Sequence, residues 1–407
     1  MSGIENIGAL LANRRKGHAL PQGLYVDPAV HNFDIRAIYH RVWLQAGFEC
    51  EIPAPGDYLT LNVGGSPIVV IRNQDGAVGA FFNTCRHRGA QICAEKHGHV
   101  VRLVCPYHQW SYDLRGRLVQ AARMHEDFDS SGFSLRPVRV ETVAGVIFIS
   151  LCDDPPAFEP FRNALEPMLA PHELHQTKLV HTQTLVERAD WKLVMENARE
   201  CYHCRAGHPQ LMRSFRDFTV KDLSSEPPQW ETAFNRNCEL KGLKTGEVIS
   251  SWYQIGRYPL GDGVFSYTLD GKPAVSKTLG RIGDGDVGMM WWGVQPNCFN
   301  HVVGDYAFCF QAWPTGPGET TVTGRWFVHQ DAVEGVDYHL DRLIEVWTAT
   351  NKQDGALVEN AQRGVNSVAY IPGPYSQITE QLVLRLIDWY CDSAETFIRG
   401  SRVGSSS

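Results

Sequence analysis

The sequence predicts an α+β protein in two unequal parts: an N-terminal antiparallel β domain, followed by a larger domain whose helices pack on an antiparallel sheet. Three observations carry this. From about Gly56 to Ser150 the chain is a series of short alternating or apolar runs separated by turn signals such as Gly64-Gly65 and Arg115-Gly116. Asp153-Asp154-Pro155-Pro156 then stops both helix and strand. Beyond it, Tyr338 to Gln362 and Thr379 to Arg399 repeat at the helical period of 3.6.

In chain order, residues 1–40 are expected to form a helical segment packing on the second domain, and 41–153 the β domain. Its runs are Tyr58 to Val63, Pro67 to Arg72, Ala77 to Asn83, Val100 to Val104, Gly116 to Gln120 and Gly145 to Leu151. Residues 154–400 form the second domain, in which Trp191 to Cys204 reads as a helix and Met289 to Val328 as several strands. Residues 401–407 read as a disordered tail.

Composition excludes several functions. With 407 residues and 43% hydrophobic content the chain suits an ordinary globular protein. Lys+Arg 38 against Asp+Glu 45, without a basic cluster, argues against nucleic acid as partner. Met1 to Leu20 lacks the apolar core of a secretory signal, and Val143 to Cys152 is too short to cross a bilayer, so a soluble, cytoplasmic protein is expected. Eleven cysteines then point to ligands and core packing rather than a disulfide framework.

Spacing picks out the chemistry. Cys85-Arg86-His87 is followed, with seventeen residues between, by Cys105-Pro106-Tyr107-His108. Two thiolates can hold one iron of a cluster and two imidazoles the other, which raises the potential above that of an all-cysteine cluster. A structural zinc finger pairs cysteine with cysteine and histidine with histidine, whereas each half here carries one of each. His97, His99 and Cys93, between the halves, fit no ligand spacing and read as structural. With Arg86, Arg88 and Gly89 after the first pair and Pro106, Tyr107 and Trp110 around the second, this stretch resembles the C-R-H-R-G to C-P-Y-H-x-W pattern of Rieske domains.

A second constellation runs from Asp190 to Pro209. On a regular helix Glu200 and His203 share a face, but His208 falls about 140° from His203. Gly207 loosens the backbone and Pro209 drives His208 out of the α region, so the second imidazole can swing back. Two histidines need a carboxylate to complete a facial triad for Fe(II). The resemblance to Rieske oxygenases implies that it lies in a Q-D-x-x-L-x-E-x-x-Q pattern, matched here by Gln353 to Gln362. That makes Asp354 the implied ligand, with Glu359 as second choice. It also implies that Glu200 bridges a cluster histidine of one subunit to an iron histidine of the next, a route from His108 through Glu200 to His203 in a homotrimer. Cys201-Tyr202-His203-Cys204 also has the spacing of a redox or zinc half-site, but no second half-site sits nearby.

Glu200 within E-N-x-R-E-C-Y-H-C resembles the branch of Rieske oxygenases that oxidises N-methyl groups of quaternary ammonium compounds such as glycine betaine and proline betaine. Most ring hydroxylases carry Asp there. The resemblance, which spans about Leu20 to Tyr390, implies an oxidative N-demethylase using O2 and releasing formaldehyde. A permanent cation is held by aromatic faces, and the candidates are Trp252, Tyr267, Trp292, Phe299, Phe308 and Phe310. Trp291 is further material on the same stretch, and Arg257, His301 or a backbone amide would receive the carboxylate. No Gly-x-Gly-x-x-Gly follows a strand, so NAD(P)H would act only through a separate flavin and iron-sulfur reductase. The rival readings are an aromatic-ring hydroxylating dioxygenase alpha subunit and a Rieske electron carrier without an oxygenase site.

Overall fold

A computed structural model describes residues 3–216, 229–283 and 285–404. The chain divides into two compact units: Tyr39–Phe158, and a second in which the chain up to Ile38 belongs with the chain from Glu159 onward. The prolyl break at 153–156 lies inside the first unit. There the Trp43 indole donates to the Pro156 carbonyl at 2.7 Å, and Arg139 donates to the Asp153 carbonyl at 2.9 Å. The crossing therefore comes a few residues later than the local sequence suggests.

The first unit holds three small antiparallel sheets. One is ordered β1 (Leu44–Phe48), β10 (Val146–Ser150), β9 (Arg139–Val143). The second is β4 (Val78–Phe82), β3 (Ser66–Arg72), β2 (Asp57–Val63), β5 (His97–His99), and the third β6 (Leu103–Val104), β7 (Ser111–Tyr112), β8 (Leu118–Gln120). Gly64 and Gly65, both at positive φ, make the two-residue turn that pairs Val63 with Ser66 and so sets the register of β2 and β3. In β3, Ile68 to Ile71 are fully buried, as expected of β-branched residues on a central strand. Cys85 and Cys105 belong to the same core as Val69, Trp110 and Tyr112.

The second unit is built on a seven-stranded antiparallel sheet. Its order is β11 (Thr177–Glu187), β17 (Glu319–His329), β16 (Tyr306–Gly316), β15 (Cys298–Val302), β14 (Met289–Val294), β13 (Tyr253–Tyr258), β12 (Gly246–Ile249). Its helices are α1 (Gly3–Ala12), α2 (Gly23–Val26), α3 (Pro28–Asp34), α4 (Glu159–Leu169), α5 (Trp191–Asn197), α6 (Cys204–Gly207), α7 (Gln229–Leu240), α8 (Leu340–Val365) and α9 (Gln381–Gly404). Helix α8 packs on β11 and β17, and α5 packs on α8 and β16. Helix α9 reaches Gly404, into the stretch read as a tail, and 405–407 lie outside the described residues. No helix among the described residues is long and apolar enough to cross a membrane.

A buried ion cluster fixes α5. Lys192 Nζ lies 2.6 Å from Asp34 and 2.9 Å from Asp190, and Asp34 also accepts from the Trp191 indole and the Tyr390 hydroxyl, each at 2.9 Å. Asp190 caps the helix by accepting from Lys192 N. The start of α5 is thus tied to the N-terminal segment through Asp34 and to α9 through Tyr390. At its far end Glu196 accepts from the Tyr25 and Tyr375 hydroxyls at 2.8 Å each.

Candidate metal centres and the cavity beside them

The two Cys-His loops of the first unit are built alike. In each, the cysteine carbonyl accepts from the amide four residues on, Gly89 at 3.0 Å and Gln109 at 3.1 Å. The cysteine amide donates to the carbonyl five residues on, Ala90 at 2.8 Å and Trp110 at 2.9 Å. Gly89 and Gln109 both take positive φ to close the turn. The repeated geometry sends two thiols inward and two imidazoles outward. Cys85 and Cys105 are 3% and 1% exposed, whereas His87 is exposed and His108 half-buried. His87 Nδ1 and His108 Nδ1 face each other at 3.1 Å. Trp110 stacks on His87 with ring centroids 4.9 Å apart, and the Tyr112 hydroxyl lies 3.3 Å from Cys85 Sγ. Two buried thiols and two convergent nitrogens are the donor set that a Rieske cluster requires. His97 and His99 instead pair with Glu51 and Asp57, and Cys93 is a buried core thiol.

In the second unit His203 and His208 meet a carboxylate from α8. His203 Nε2 and His208 Nε2 are 3.0 Å apart, and Asp354 Oδ1 lies 3.2 Å from the first and 3.0 Å from the second. An octahedral metal with bonds of about 2.1 Å has adjacent ligand atoms about 3 Å apart. Asp354 Oδ1 is buried and, despite its nearness to both imidazoles, has no hydrogen-bond partner among the described residues. Three donor atoms crowded on one point, with the buried carboxylate oxygen left unpartnered, fit a metal better than they fit one another. The Cys204 sulfur also comes within 4.8 Å of the imidazole nitrogens, but it is bonded to Cys201, the one disulfide among the described residues.

Each imidazole is oriented by its other nitrogen. Glu200 accepts from His203 Nδ1, and Gln353 Oε1 lies 3.0 Å from His208 Nδ1 while its own amide donates to Gln210 at 2.8 Å. Burial opposes a charge on His203, but Asp354 and Glu200 outweigh it and raise its pKa to about 9. The neighbouring Glu187 is 3% exposed, and burial together with Asp354 and Glu359 pushes its carboxyl up to about 8.

The helix expected over Trp191 to Cys204 ends at Asn197. Glu200 lies in the following turn, where its carboxylate accepts from the amides of Tyr202 and His203 and so replaces the carbonyls a continuing helix would offer. The bend thus begins well before Gly207. His208 sits at φ −126, ψ 70, outside the α region as the following proline demands. Glu359 points elsewhere: it accepts from the amide of Arg188 at 3.0 Å.

A cavity of about 340 Å³ opens beside the triad, at the small end of the usual range for ligand sites. Its wall is one face of the sheet. Trp291 pairs with His301 and His301 with Phe308, while Gly293 pairs with Phe299 and Phe299 with Phe310. Residues two apart share a face, so Trp291, Phe299, His301, Phe308 and Phe310 all line the space. From α8, Trp347 lies flat on Phe308 with centroids 4.4 Å apart and planes 9° apart. Gly256 leaves room for this layer, since a Cβ there would come within 2.8 Å of the Trp291 indole.

Three candidate cage residues do not reach the cavity lining. Trp292 follows Trp291 on the strand and faces the other way. Trp252 packs on Phe161 and Tyr253. Tyr267 is fully buried behind the wall, its hydroxyl 3.2 Å from His301 Nδ1. Arg257 is also away from the lining, donating to the carbonyls of Lys244, Val287 and Met168. His301 does line it, but burial drops its pKa to about 3, so it is a neutral ring. Trp347 escaped the sequence reading, although it stands seven residues before Asp354 on one helix face, a spacing that could have revealed it. Gln353 was visible as part of a motif without a role.

Cluster-type loops in one unit and a two-histidine, one-carboxylate site in the other define a Rieske-type oxygenase. Residues 42–141 match the Rieske [2Fe-2S] domain model, and residues 174–395 match the ring hydroxylating alpha subunit catalytic domain, so the chain belongs to the ring-hydroxylating Rieske oxygenase alpha subunits. It is an oxidoreductase whose cofactors are a two-iron, two-sulfur cluster and a mononuclear iron.

Within that family it is similar to the glycine betaine monooxygenase oxygenase subunit of Chromohalobacter salexigens, 43% identical over 94% of this chain and 87% of that protein. The Pseudomonas aeruginosa subunit of the same name is also 43% identical, over 94% and 90% of the two chains. The structure of a quaternary ammonium Rieske monooxygenase in complex with L-carnitine shares the fold, with TM-score 0.70 and 21% identity over 95% of this chain and 98% of that one. Naphthalene 1,2-dioxygenase from a Rhodococcus species shares it at TM-score 0.67 and 17% identity, over 96% and 98%.

Proposed function

We propose that this subunit hydroxylates an N-methyl group of a quaternary ammonium betaine, glycine betaine or proline betaine, so that the product breaks down to formaldehyde and the tertiary amine. The observation that carries this reading is the wall of Trp291, Phe299, Phe308, Phe310 and Trp347 beside His203, His208 and Asp354. Aromatic faces attract a cation that can neither lose its charge nor donate a hydrogen bond. The 43% identity to subunits named for glycine betaine supports the same substrate class.

In this reading Cys85, His87, Cys105 and His108 hold the cluster, and His203, His208 and Asp354 hold the iron. When bound, the two centres supply the electrons and the activation of dioxygen that the hydroxylation needs. Glu200 fixes the His203 ring, Gln353 fixes the His208 ring, and the aromatic wall keeps water from the methyl group. Electrons come from a separate flavin and iron-sulfur reductase that oxidises NAD(P)H. They pass from His108 of a neighbouring copy through Glu200 to His203 within a homotrimer, a role that suits a carboxylate already bonded to His203 Nδ1. A related quaternary ammonium monooxygenase is described as transferring electrons between subunits.

The test is formaldehyde release by the reconstituted protein with a reductase, NADH and a panel of betaines and aromatic hydrocarbons. Formaldehyde from a betaine, in step with NADH use, is expected. Oxidation of a flat aromatic ring with no formaldehyde from any betaine would move the assignment to ring hydroxylation.

A further inference from the structure

Among the described residues that line the cavity, Arg199 is the one guanidinium or ammonium group. It is 2% exposed, on the turn between α5 and His203. Its Nε and Nη2 donate to Gln295 Oε1 at 3.2 and 2.9 Å, and Nη2 also donates to the Cys298 carbonyl at 3.0 Å. The Phe299 ring, part of the cavity wall, lies 5.4 Å from Cζ. Nη1 is buried and has no hydrogen-bond partner among the described residues.

No carboxylate pairs with this guanidinium in the described structure: its polar contacts are an amide oxygen and a backbone carbonyl. Burial lowers its pKa to about 10, which still leaves it charged at neutral pH. The buried Arg257 differs. Its Nε, Nη1 and Nη2 all donate, to three carbonyls and the His172 ring, and no atom of it is left orphaned among the described residues. A buried cation with a spare donor beside a ligand cavity calls for an anion.

We propose that Arg199 receives the carboxylate of the substrate through Nη1, and that it thereby selects zwitterionic betaines over plain quaternary ammonium cations such as choline. This rests on the betaine reading above and adds the residue that sets specificity. A buried guanidinium repels a lone cation. It attracts a zwitterion by its carboxylate end and turns the trimethylammonium end away from itself, toward the aromatic wall. Arg199 therefore offers with one charge both an attractive contact for the betaine and a repulsive one for its uncharged-tail analogue.

The experiment measures dissociation constants of glycine betaine, its methyl ester and choline for the iron-loaded holoenzyme and for Arg199→Gln and Arg199→Lys, with iron and sulfide counted in each. The parent is expected to bind the ester and choline at least about tenfold more weakly than the acid, and Arg199→Gln to weaken the acid alone by about 10- to 100-fold, the span of a lost charged hydrogen bond. Arg199→Lys should recover part of that loss. Equal binding of acid and ester by the parent overturns the proposal even if every variant misfolds. So does a metal-loaded Arg199→Gln that binds the acid as the parent does, or that weakens all three ligands alike. If the parent releases formaldehyde from betaines while these results fail, only the role of Arg199 falls. If it acts on no betaine, the functional reading falls with it.

Discussion

The two metal-binding regions solve opposite problems. In the Rieske unit four side chains from two short loops converge near the surface, with the thiols in the core and an imidazole edge toward solvent. In the other unit the donors come from a turn and from a helix far along the chain, and His208 is 1% exposed. A centre that relays electrons needs an accessible edge. One that activates oxygen beside a substrate needs water kept out and ligands held from several directions. The contrast lies in how the chain is spent: a repeated local turn suffices for the first, and a whole sheet, two helices and a buried ion cluster position the second.

Glu200 offers the sharpest way to break that comparison, because in this account it belongs to both centres. Glu200→Gln should keep cluster and iron filled, yet lower product formation more than about 100-fold, the upper end for residues that support metal ligands. Near-parental turnover with both metals present would show that the two regions communicate by another route. Next in size is Asp34→Asn, which leaves part of the Lys192 charge uncompensated inside the second unit. Removing one partner of a buried ion cluster costs about 3–5 kcal/mol. Denaturant unfolding should show that loss in tryptophan fluorescence while the visible spectrum of the cluster, in the other unit, persists to the parental midpoint.

Gln353→Leu should be milder, lowering iron affinity or activity about 10- to 100-fold with cluster absorbance unchanged, since it frees one His208 nitrogen without removing a ligand. Smallest is Phe310→Ala, which takes one face from the cavity wall. A cation on an aromatic ring is worth about 0.5–2 kcal/mol, so KM for a betaine should rise about tenfold with kcat little changed. An unaltered KM would put the cation elsewhere.

How far each region could be read from sequence follows the same divide. The cluster loops were legible because ligand spacing, turn residues and hydrogen-bond pattern all lie within a few residues of one another. His203 and His208 were legible by type, but the path between them was not. The helical pattern runs on to Cys204, because nothing in the sequence shows that the Glu200 carboxylate satisfies the amides of Tyr202 and His203. The cavity wall was only half legible. Strand β14 is buried along its whole length, so burial distinguishes Trp291 from Trp292 no better than hydropathy does. Only the pairing of Trp291 with His301, and of Gly293 with Phe299, decides which of them faces the triad. Arg257 and Arg199 are likewise similar as isolated residues, and differ in which backbone carbonyls happen to surround them.

The central claim is that one chain carries two separate metal centres, and metal counting on Asp354→Ala beside the parent tests it most directly. The parent should hold three irons and two acid-labile sulfides. The variant should hold two irons and two sulfides, with its visible spectrum intact and no product formed. A variant that keeps its third iron, or a parent that never holds more than two, would contradict the account.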